Sequence, residues 1–203
     1  MSIKRPSPRE TPPNYPRAYE QSVRLRDGRS VFIRPILPTD AADLADAIRT
    51  ADADTLHSRF LTGPPTITPG WLRHLTEVDY IRRFALVAAD ARTRCGVAIA
   101  RFEPLADGSA EIAVVVTPGW RRIGLATELI QLLAKAAIER GVHTFSVYYL
   151  AENRPVAHLI KETGHAGRQL IEQGIAEAVV ALDQEGVSSI RRQQLEHDLR
   201  HDH

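Results

Sequence analysis

A short run of residues has the types expected of an anion site at the start of a helix. It follows an apolar stretch at 114–116 and a Pro-Gly turn, and it consists of Arg121, Arg122, Ile123, Gly124, Leu125, Ala126 and Thr127. The first backbone N–H groups of a helix lack partners within it, and their dipole favours a negative charge. Gly124 and Ala126 leave room for a phosphate, while the arginines add charge and Thr127 a hydroxyl. An ordinary capped helix with incidental arginines fits the same residue types, so both alternatives stay open.

Glu111 is the second residue whose setting suggests chemistry. It is the charged residue in the otherwise apolar segment Ala110–Val116. Apolar neighbours suit a carboxylate that accepts and releases a proton near neutral pH. The alternative is a carboxylate near a strand end that pairs with an arginine such as Arg101.

Hydropathy patterning predicts the elements that position these residues. Segment 110–116 reads as a strand buried on both faces, and a helix follows it from about residue 125 to Arg140-Gly141. Apolar runs bounded by turns predict further strands at 23–25, 31–33, 84–89, 95–102, 144–150, 169–171 and 176–182. Start signals predict the remaining helices, from Pro38, after Asp52, from Thr68-Pro69 and from Asn153 to Thr163.

Composition divides the chain into a core domain and two flanks. Residues 1–20 contain five prolines among polar neighbours, which predicts a disordered arm. Residues 21–183 form the predicted domain, with an α/β (α+β) architecture. Residues 184–203 are charged and predicted to be a loose tail.

Charge and cysteine content exclude several classes of function. The 26 basic residues are balanced by 25 acidic ones, so a nucleic-acid partner is not expected. No apolar run reaches membrane-spanning length, and no signal peptide is recognisable, so we expect a cytoplasmic protein without a membrane partner. Cys95 is the single cysteine, which excludes an internal disulfide, and we expect it to be a small buried core residue. The histidines lack a metal-ligand spacing, so no metal is expected.

The pattern Arg121-x-x-Gly124-x-Ala126 resembles the (Gln/Arg)-x-x-Gly-x-(Gly/Ala) signature of the GNAT superfamily of N-acetyltransferases. The resemblance implies a GNAT fold, with a mixed, mostly antiparallel central sheet of six to seven strands flanked by helices. It implies acetyl-CoA as cosubstrate, with its pyrophosphate on residues 121–127 and its pantetheine arm along Val114 and Val116. The next strand is expected to splay away, and Asn153 to help hold the cofactor.

Several further segments are similar to the acetyltransferase domain of Pat-type protein lysine acetyltransferases. They are Arg26-Asp27-Gly28-Arg29, Ile33-Arg34-Pro35-Ile36, Ser58-Arg59-Phe60, 75–80, 85–88 and 110–116. This resemblance implies a protein lysine as acceptor and Glu111 as general base. A base is needed because only about one lysine amine in a thousand is unprotonated at neutral pH.

Other roles in the reaction stay open at the level of sequence. Many GNAT enzymes have a tyrosine where this chain has Ile160, so the departing thiolate takes its proton from water, Tyr148, Tyr149 or His165. Asp79-Tyr80 and Arg59-Phe60 either orient the acceptor or pack the helices. A small amine is the alternative acceptor, and a CoA-sensing module without turnover is the alternative function. The oligomeric state, self-association included, is not determined.

Overall fold

Eight strands form one sheet in the computed structural model, which describes residues 3, 6–7, 10–61, 63, 65–162 and 166–182. The strands are β1 Gln21–Arg24, β2 Ser30–Pro35, β3 Phe84–Asp90, β4 Gly96–Pro104, β5 Ala110–Val116, β6 Thr144–Leu150, β7 Ala166–Glu172 and β8 Ile175–Ala181. Their order across the sheet is β1-β2-β3-β4-β5-β6-β8-β7, and only β5 and β6 pair in parallel. The mixed, mostly antiparallel sheet is confirmed, with more strands than the six to seven expected because the β1–β2 hairpin joins it through β3.

Five α-helices accompany the sheet in the described residues: α1 Ala41–Thr50, α2 Ala53–Phe60, α3 Pro69–Thr76, α4 Leu125–Ile138 and α5 Arg154–Glu162. The predicted helices therefore form. Asp52 caps α2 through its side chain, and Thr68 caps α3 in the same way. The predicted tail at 184–203 and His165 lie outside the described residues.

The two faces of the sheet bury different helices. The α4 helix packs on β3, β4 and β5, where Leu129 and Leu133 join a core that includes Phe84, Phe102 and Phe145. The α5 helix packs on the same face further along, against β6 and β8. The α2 and α3 helices lie over the opposite face. The opposite face is therefore the one that carries Glu111.

Strand β5 is buried differently from the prediction. Ala110, Ile112 and Val116 are buried, but Glu111, Ala113 and Val115 are half-buried. The prediction of burial on both faces is wrong, because α4 closes one face whereas a cavity lies over the other. The run of apolar residues in the sequence does not indicate that the two faces of β5 differ in burial.

The segment before β1 packs on the domain. Residues Arg17–Tyr19 form a short 3-10 helix, and the Tyr19 side chain is buried against the ring of Phe84 at 5.0 Å between centroids. The Tyr15 ring meets that of Tyr80 edge-on at 5.6 Å. The prediction of a disordered arm is wrong for residues 10–20. Burial of large aromatic side chains stabilises a segment whose prolines alone suggested disorder.

Cys95 is exposed rather than buried. It lies in the turn that joins β3 to β4, where its carbonyl accepts a hydrogen bond from the Asp90 N–H at 2.9 Å. The strand begins one residue later, at Gly96. The prediction of a buried core cysteine is therefore wrong, because the boundary residue faces solvent.

Candidate active site

Helix α4 begins with an uncapped turn. Gly124 is the N-cap residue at φ 91°, a left-handed conformation that glycine adopts without strain, and no side chain caps the helix. The first N–H groups of α4 consequently have no side-chain acceptor at the N-cap. This arrangement leaves the start of the helix able to bind an anion, as the residue types suggested.

The Arg121 side chain holds the turn in place. Its Nε donates to the Val116 carbonyl at 3.0 Å, and its Nη2 donates to Thr55 Oγ1, on α2, at 2.6 Å. These bonds connect the start of α4 with the helix over the other face of the sheet. Arg122, at φ 62°, is exposed like Arg121, but its side chain makes no hydrogen bond to another residue in the described part of the chain. Its side chain is the one better situated to meet an incoming anion.

A second brace comes from the β1–β2 hairpin. The guanidinium of Arg29 lies 4.0 Å from the ring centroid of Trp120 and donates to the Gly119 carbonyl at 2.9 Å. The Arg26 N–H donates to the Ile123 carbonyl at 3.3 Å. Sequence reasoning missed this brace, although Arg26-Asp27-Gly28-Arg29 had drawn attention for its similarity to a family pattern. The hairpin fixes the loop from which α4 starts.

Strands β5 and β6 separate beyond their first residues. Their pairing stops at Ile112 and Val147, while β6 stays paired with β8 as far as Leu150. The gap that opens between them agrees with the expectation that the next strand splays away from β5. The ends of strand pairing show this predicted feature directly.

The backbone of β5 presents alternate residues to this gap. The Thr117 N–H donates to the Val97 carbonyl at 2.9 Å, in register with the pairing of β4 and β5. In an antiparallel ladder every second residue bonds to the same neighbouring strand, so Thr117 and Val115 bond to β4. The N–H and C=O groups of Val114 and Val116 therefore point away from β4. The Val116 carbonyl accepts the Arg121 bond. Val114 thus offers main-chain groups to an extended ligand in the gap.

Glu111 borders a cavity of about 270 Å³ between the sheet and helices α2 and α3. The cavity combines aromatic, basic and acidic side chains, namely Arg59, Phe60, Pro65, Trp71, His74, Leu75, Arg101, Glu103, Glu111 and Ala113. The proposed base and the Arg59-Phe60 pair are therefore brought together. The Glu111 side chain makes no hydrogen bond or ion pair with any residue that the structure describes.

Arg101 pairs with Glu103 instead of Glu111. Its Nη2 lies 2.6 Å from Glu103 Oε1, and its Nη1 donates to the Leu75 carbonyl at 3.3 Å. His74 Nε2 lies 3.2 Å from the other oxygen of Glu103. The alternative of an ion pair between Arg101 and Glu111 is thereby excluded, because the Arg101 guanidinium is already paired with Glu103.

Asp79 does not face the cavity. Its Oδ1 accepts hydrogen bonds from the N–H groups of Ile81, Arg82 and Arg83 at 2.8–2.9 Å. Although burial by itself raises the pKa of Asp79, these three donors hold it below its ordinary value. Tyr80 is buried and its hydroxyl donates to the Ile36 carbonyl at 2.7 Å. This pair packs the fold, whereas Arg59-Phe60 lines the cavity.

The candidates for the leaving-group proton differ in accessibility. The Tyr148 hydroxyl donates to Glu177 Oε1 at 3.1 Å, and burial and that hydrogen bond raise the pKa of Tyr148 above its ordinary value. Tyr149 is buried, as is Ile160. Asn153 Oδ1 accepts the Val156 N–H at 3.3 Å, which caps α5. This bond uses one of the two lone pairs of Oδ1, so the amide of Asn153 keeps donors and an acceptor site for a ligand.

Two general properties of the described residues complete the site. They contain no group of three or more side chains suited to hold a metal ion. None of their helices combines the length and the hydropathy needed to cross a bilayer.

Comparison with known proteins points to one family. The acetyltransferase (GNAT) domain model matches residues 30–165. An acetyltransferase of Pseudomonas aeruginosa is 30% identical over 149 residues, 71% of this chain and 80% of that protein. The acetyltransferase Pat of Mycolicibacterium smegmatis is 27% identical over 144 residues, 70% of this chain and 43% of that protein. This chain thus spans less than half of that second relative.

Solved structures agree with the sequence matches. The GNAT domain of S. lividans PAT superposes with a TM-score of 0.75 at 25% identity, covering 83% of this chain and 100% of that domain. A Salmonella typhimurium acetyltransferase solved with acetyl-CoA has a TM-score of 0.58 at 17% identity, covering 76% of this chain and 95% of that one. A Vibrio cholerae spermidine N-acetyltransferase, solved with CoA and spermine, has a TM-score of 0.59 at 16% identity, covering 75% and 95%. The predicted fold is confirmed, and acetyl-CoA as the predicted cosubstrate agrees with these neighbours.

Proposed function

Because the chain belongs to the GNAT acetyltransferase family, we propose that it transfers acetyl from acetyl-CoA to the side-chain amine of protein lysines, with Glu111 as general base. One observation carries the proposal. Glu111 is unpaired within the described residues and lies at the point where β5 and β6 separate, between the cavity and the gap. An acceptor in the cavity and a thioester in the gap would meet beside this carboxylate.

The cofactor binds, in this proposal, along β5 and at the start of α4. Backbone N–H groups of residues 122–127 hold the pyrophosphate, supported by the αL turn at Gly124 and by the absence of a side-chain cap there. Val114 and Val116 pair with the pantetheine arm through the groups that point away from β4. Asn153 contacts the cofactor from the start of α5.

Direct transfer then proceeds in a ternary complex. Glu111 accepts one proton from the lysine ammonium, and the freed lone pair attacks the thioester carbonyl carbon. The C–N bond forms, the C–S bond breaks, and the nitrogen loses its second proton to solvent as CoA leaves as a thiolate. The thiolate takes up a proton to give CoA-SH, and Glu111 returns its proton to solvent. One proton is released for each ammonium acetylated.

Water is the proton source that we propose for the thiolate. The Tyr148 hydroxyl already donates a hydrogen bond to Glu177, and burial raises the pKa of its phenol, which makes it a weaker acid than usual. Tyr149 is buried. His165 lies outside the described residues.

The size and charge of the cavity favour a protein lysine over a polyamine. Pockets for whole small ligands usually measure roughly 300–1,000 Å³, so about 270 Å³ suits a single side-chain arm whose carrier stays outside. Arg59 and Arg101 offset Glu103 and Glu111, so the cavity lacks the negative charge that would attract a second and third ammonium. Similarity to the PAT domain supports the same acceptor.

A small amine is the second candidate acceptor, since a neighbour of the same fold is a spermidine N-acetyltransferase. A CoA-sensing module without turnover is less well supported, because sensing gives no reason for an unpaired carboxylate beside the gap. A cytoplasmic location, and the absence of nucleic-acid and membrane partners, remain our predictions from composition and charge.

The test is a competition among acceptors. Folded proteins with surface lysines, spermidine, an aminoglycoside and free lysine are incubated with acetyl-CoA at matched amine concentration, and products are measured by mass spectrometry. Faster acetylation of the protein lysines supports the proposal. Tenfold faster acetylation of a small amine identifies that amine, and not a protein lysine, as the acceptor. Absence of product from every amine at saturating acetyl-CoA contradicts the enzyme function.

A further inference from the structure

The Arg59 side chain is the feature of the cavity that general-base catalysis leaves unexplained. It is half-buried in the cavity wall, and its guanidinium lies 5.2 Å from the ring centroid of Phe60. It makes no hydrogen bond or ion pair with another residue in the described part of the chain. A guanidinium has five N–H donors, and no side chain or carbonyl in the described part of the chain occupies those of Arg59, so they are available to an acceptor on a ligand in the cavity.

The charges around Arg59 are arranged in two sets. Arg101 and His74 are matched to Glu103, by the ion pair at 2.6 Å and the contact at 3.2 Å. This leaves Arg59 and Glu111 as one positive and one negative group that line the same cavity without contact. Burial lowers the pKa of Arg59, and the negative charges of Glu111 and Glu103 act in the opposite direction. The guanidinium nevertheless stays charged, as arginine does throughout the working range of pH.

We infer that Arg59 is a specificity-determining residue that binds a carboxylate on the acceptor, so that the preferred acceptor carries an ammonium and a carboxylate together. The ammonium faces Glu111 and the carboxylate faces Arg59, where a planar guanidinium accommodates both carboxylate oxygens. The inference rests on the proposed acetyl transfer and specifies its acceptor. The carboxylate has two sources: an acidic residue beside the lysine in a protein, or the α-carboxylate of an amino acid.

Phe60 and Trp71 support this geometry. Their rings lie 6.1 Å apart beside Arg59 and form an apolar wall, against which the carbon stem of a lysine can pack. The Phe60 ring covers one side of the guanidinium, and a lower local dielectric strengthens a charge-assisted hydrogen bond. A polyamine in the same place would put a second ammonium near Arg59 and be repelled.

The experiment compares acceptors that differ only in the carboxylate. One pair is Nα-acetyl-lysine and Nα-acetyl-lysinamide, and the other is a blocked peptide with Asp or Asn next to its lysine. We expect kcat/KM to be about tenfold or more higher for the acidic member of at least one pair, the range of a hydrogen bond to a charged group. A preference in the first pair identifies an α-carboxylate as the source, and one in the peptide pair identifies a neighbouring acidic side chain. Equal values within both pairs overturn the inference.

Variants assign the preference to a residue. Arg59→Gln should bring the ratio of the two kcat/KM values to about one, whatever its effect on each value, because a ratio of matched acceptors cancels losses common to both. Arg73→Gln, an exposed arginine on α3 outside the cavity wall, should keep the ratio of the wild type. An unchanged ratio in Arg59→Gln overturns the assignment.

A direct binding measurement separates this inference from the proposed function. Calorimetric titration of Nα-acetyl-lysine and its amide into wild-type protein saturated with CoA requires no turnover. If no amine is acetylated, the acetyl transfer fails, and the inference is then decided by binding alone. The Asp and Asn peptides are titrated in the same way, so that both carboxylate sources are covered. Tighter binding of the acidic member of either pair supports the inference, and equal binding within both pairs overturns it.

Discussion

Glu103 and Glu111 stand directly opposite each other on β4 and β5, and in the described residues only Glu103 has an arginine partner, Arg101. Like charges opposite each other on neighbouring strands are unfavourable, so one of the two must be neutralised. Arg101 neutralises Glu103 from within the cavity wall. The strand pair thereby supplies one structural carboxylate and one that is free to exchange a proton.

The first prediction concerns Glu111. The substitution Glu111→Gln should lower turnover by roughly 10²–10⁴, the usual range for loss of a general base, and should remove the fall of activity on the acid side of the pH profile. Affinity for acetyl-CoA should stay unchanged, as measured by calorimetry. Near-normal turnover of this variant at neutral pH would move the base elsewhere.

The opposite carboxylate should affect stability instead. The substitution Glu103→Gln leaves the buried guanidinium of Arg101 without its charged partner, at a cost of about 1–3 kcal/mol in the free energy of unfolding. Urea denaturation measures this loss. The Glu111→Gln variant is the matched control, because it removes a carboxylate that makes no ion pair in the described residues. Equal stability of the two variants contradicts the division of roles.

Gly124 tests the cofactor site. The substitution Gly124→Leu should weaken CoA binding by a large factor, because the new side chain would stand where the pyrophosphate approaches the backbone. It also strains the backbone, since φ is 91° there. Gly141→Leu supplies the control: φ is 77° at this turn after α4, and a Cβ there meets nothing within 4 Å. Calorimetry should find CoA affinity lost in the first variant and retained in the second, and equal affinities would refute the site.

Tyr148 should be dispensable as an acid. Burial and the Glu177 hydrogen bond raise the pKa of its phenol, so the neutral hydroxyl is a poor proton donor to a thiolate. The substitution Tyr148→Phe should therefore change kcat by less than about tenfold. Loss of a group that takes part in acid–base catalysis would lower kcat by roughly 10²–10⁴. Steady-state kinetics at neutral pH decides this. A hundredfold loss would instead identify Tyr148 as the acid.

Asp79 should contribute stability that depends on pH. Its pKa is lowered in the folded state, so its contribution is present above the ordinary pKa of about 4 and is lost as pH falls through the folded value. The substitution Asp79→Ala should cost about 1 kcal/mol at pH 7, as loss of a helix-cap side chain does. The difference from wild type should shrink by about pH 3.

The control for Asp79 is Asp46, whose carboxylate pairs with Arg49 on the exposed face of α1. The substitution Asp46→Ala should change stability by less than about 0.5 kcal/mol at either pH. Urea denaturation of the variants and the wild type at both pH values gives the comparison. A loss from Asp79→Ala that is as large at pH 3 as at pH 7 would contradict the linkage.

The sequence by itself determined the elements and the position of the chemistry along the chain. Strand β5, the turn after it and helix α4 depend on local properties: a run of apolar residues, Pro118 and Gly119 in the turn, and the 3.6-residue periodicity of the helix. The helix start at Gly124 and the conspicuous carboxylate of Glu111 are visible for the same reason. Local propensity and hydropathy act over a few residues, so they can be read without knowing the fold.

Only the tertiary structure decided how charged and aromatic side chains are paired. Arg101 reaches Glu103 rather than Glu111 because of the register between β4 and β5, and Arg59 enters the same cavity because α2 crosses that face. Tyr15 and Tyr19 find their aromatic partners far along the chain, which composition alone does not reveal. Such contacts join residues distant in sequence, and their energies depend on burial and on neighbours that exist only once the chain has folded.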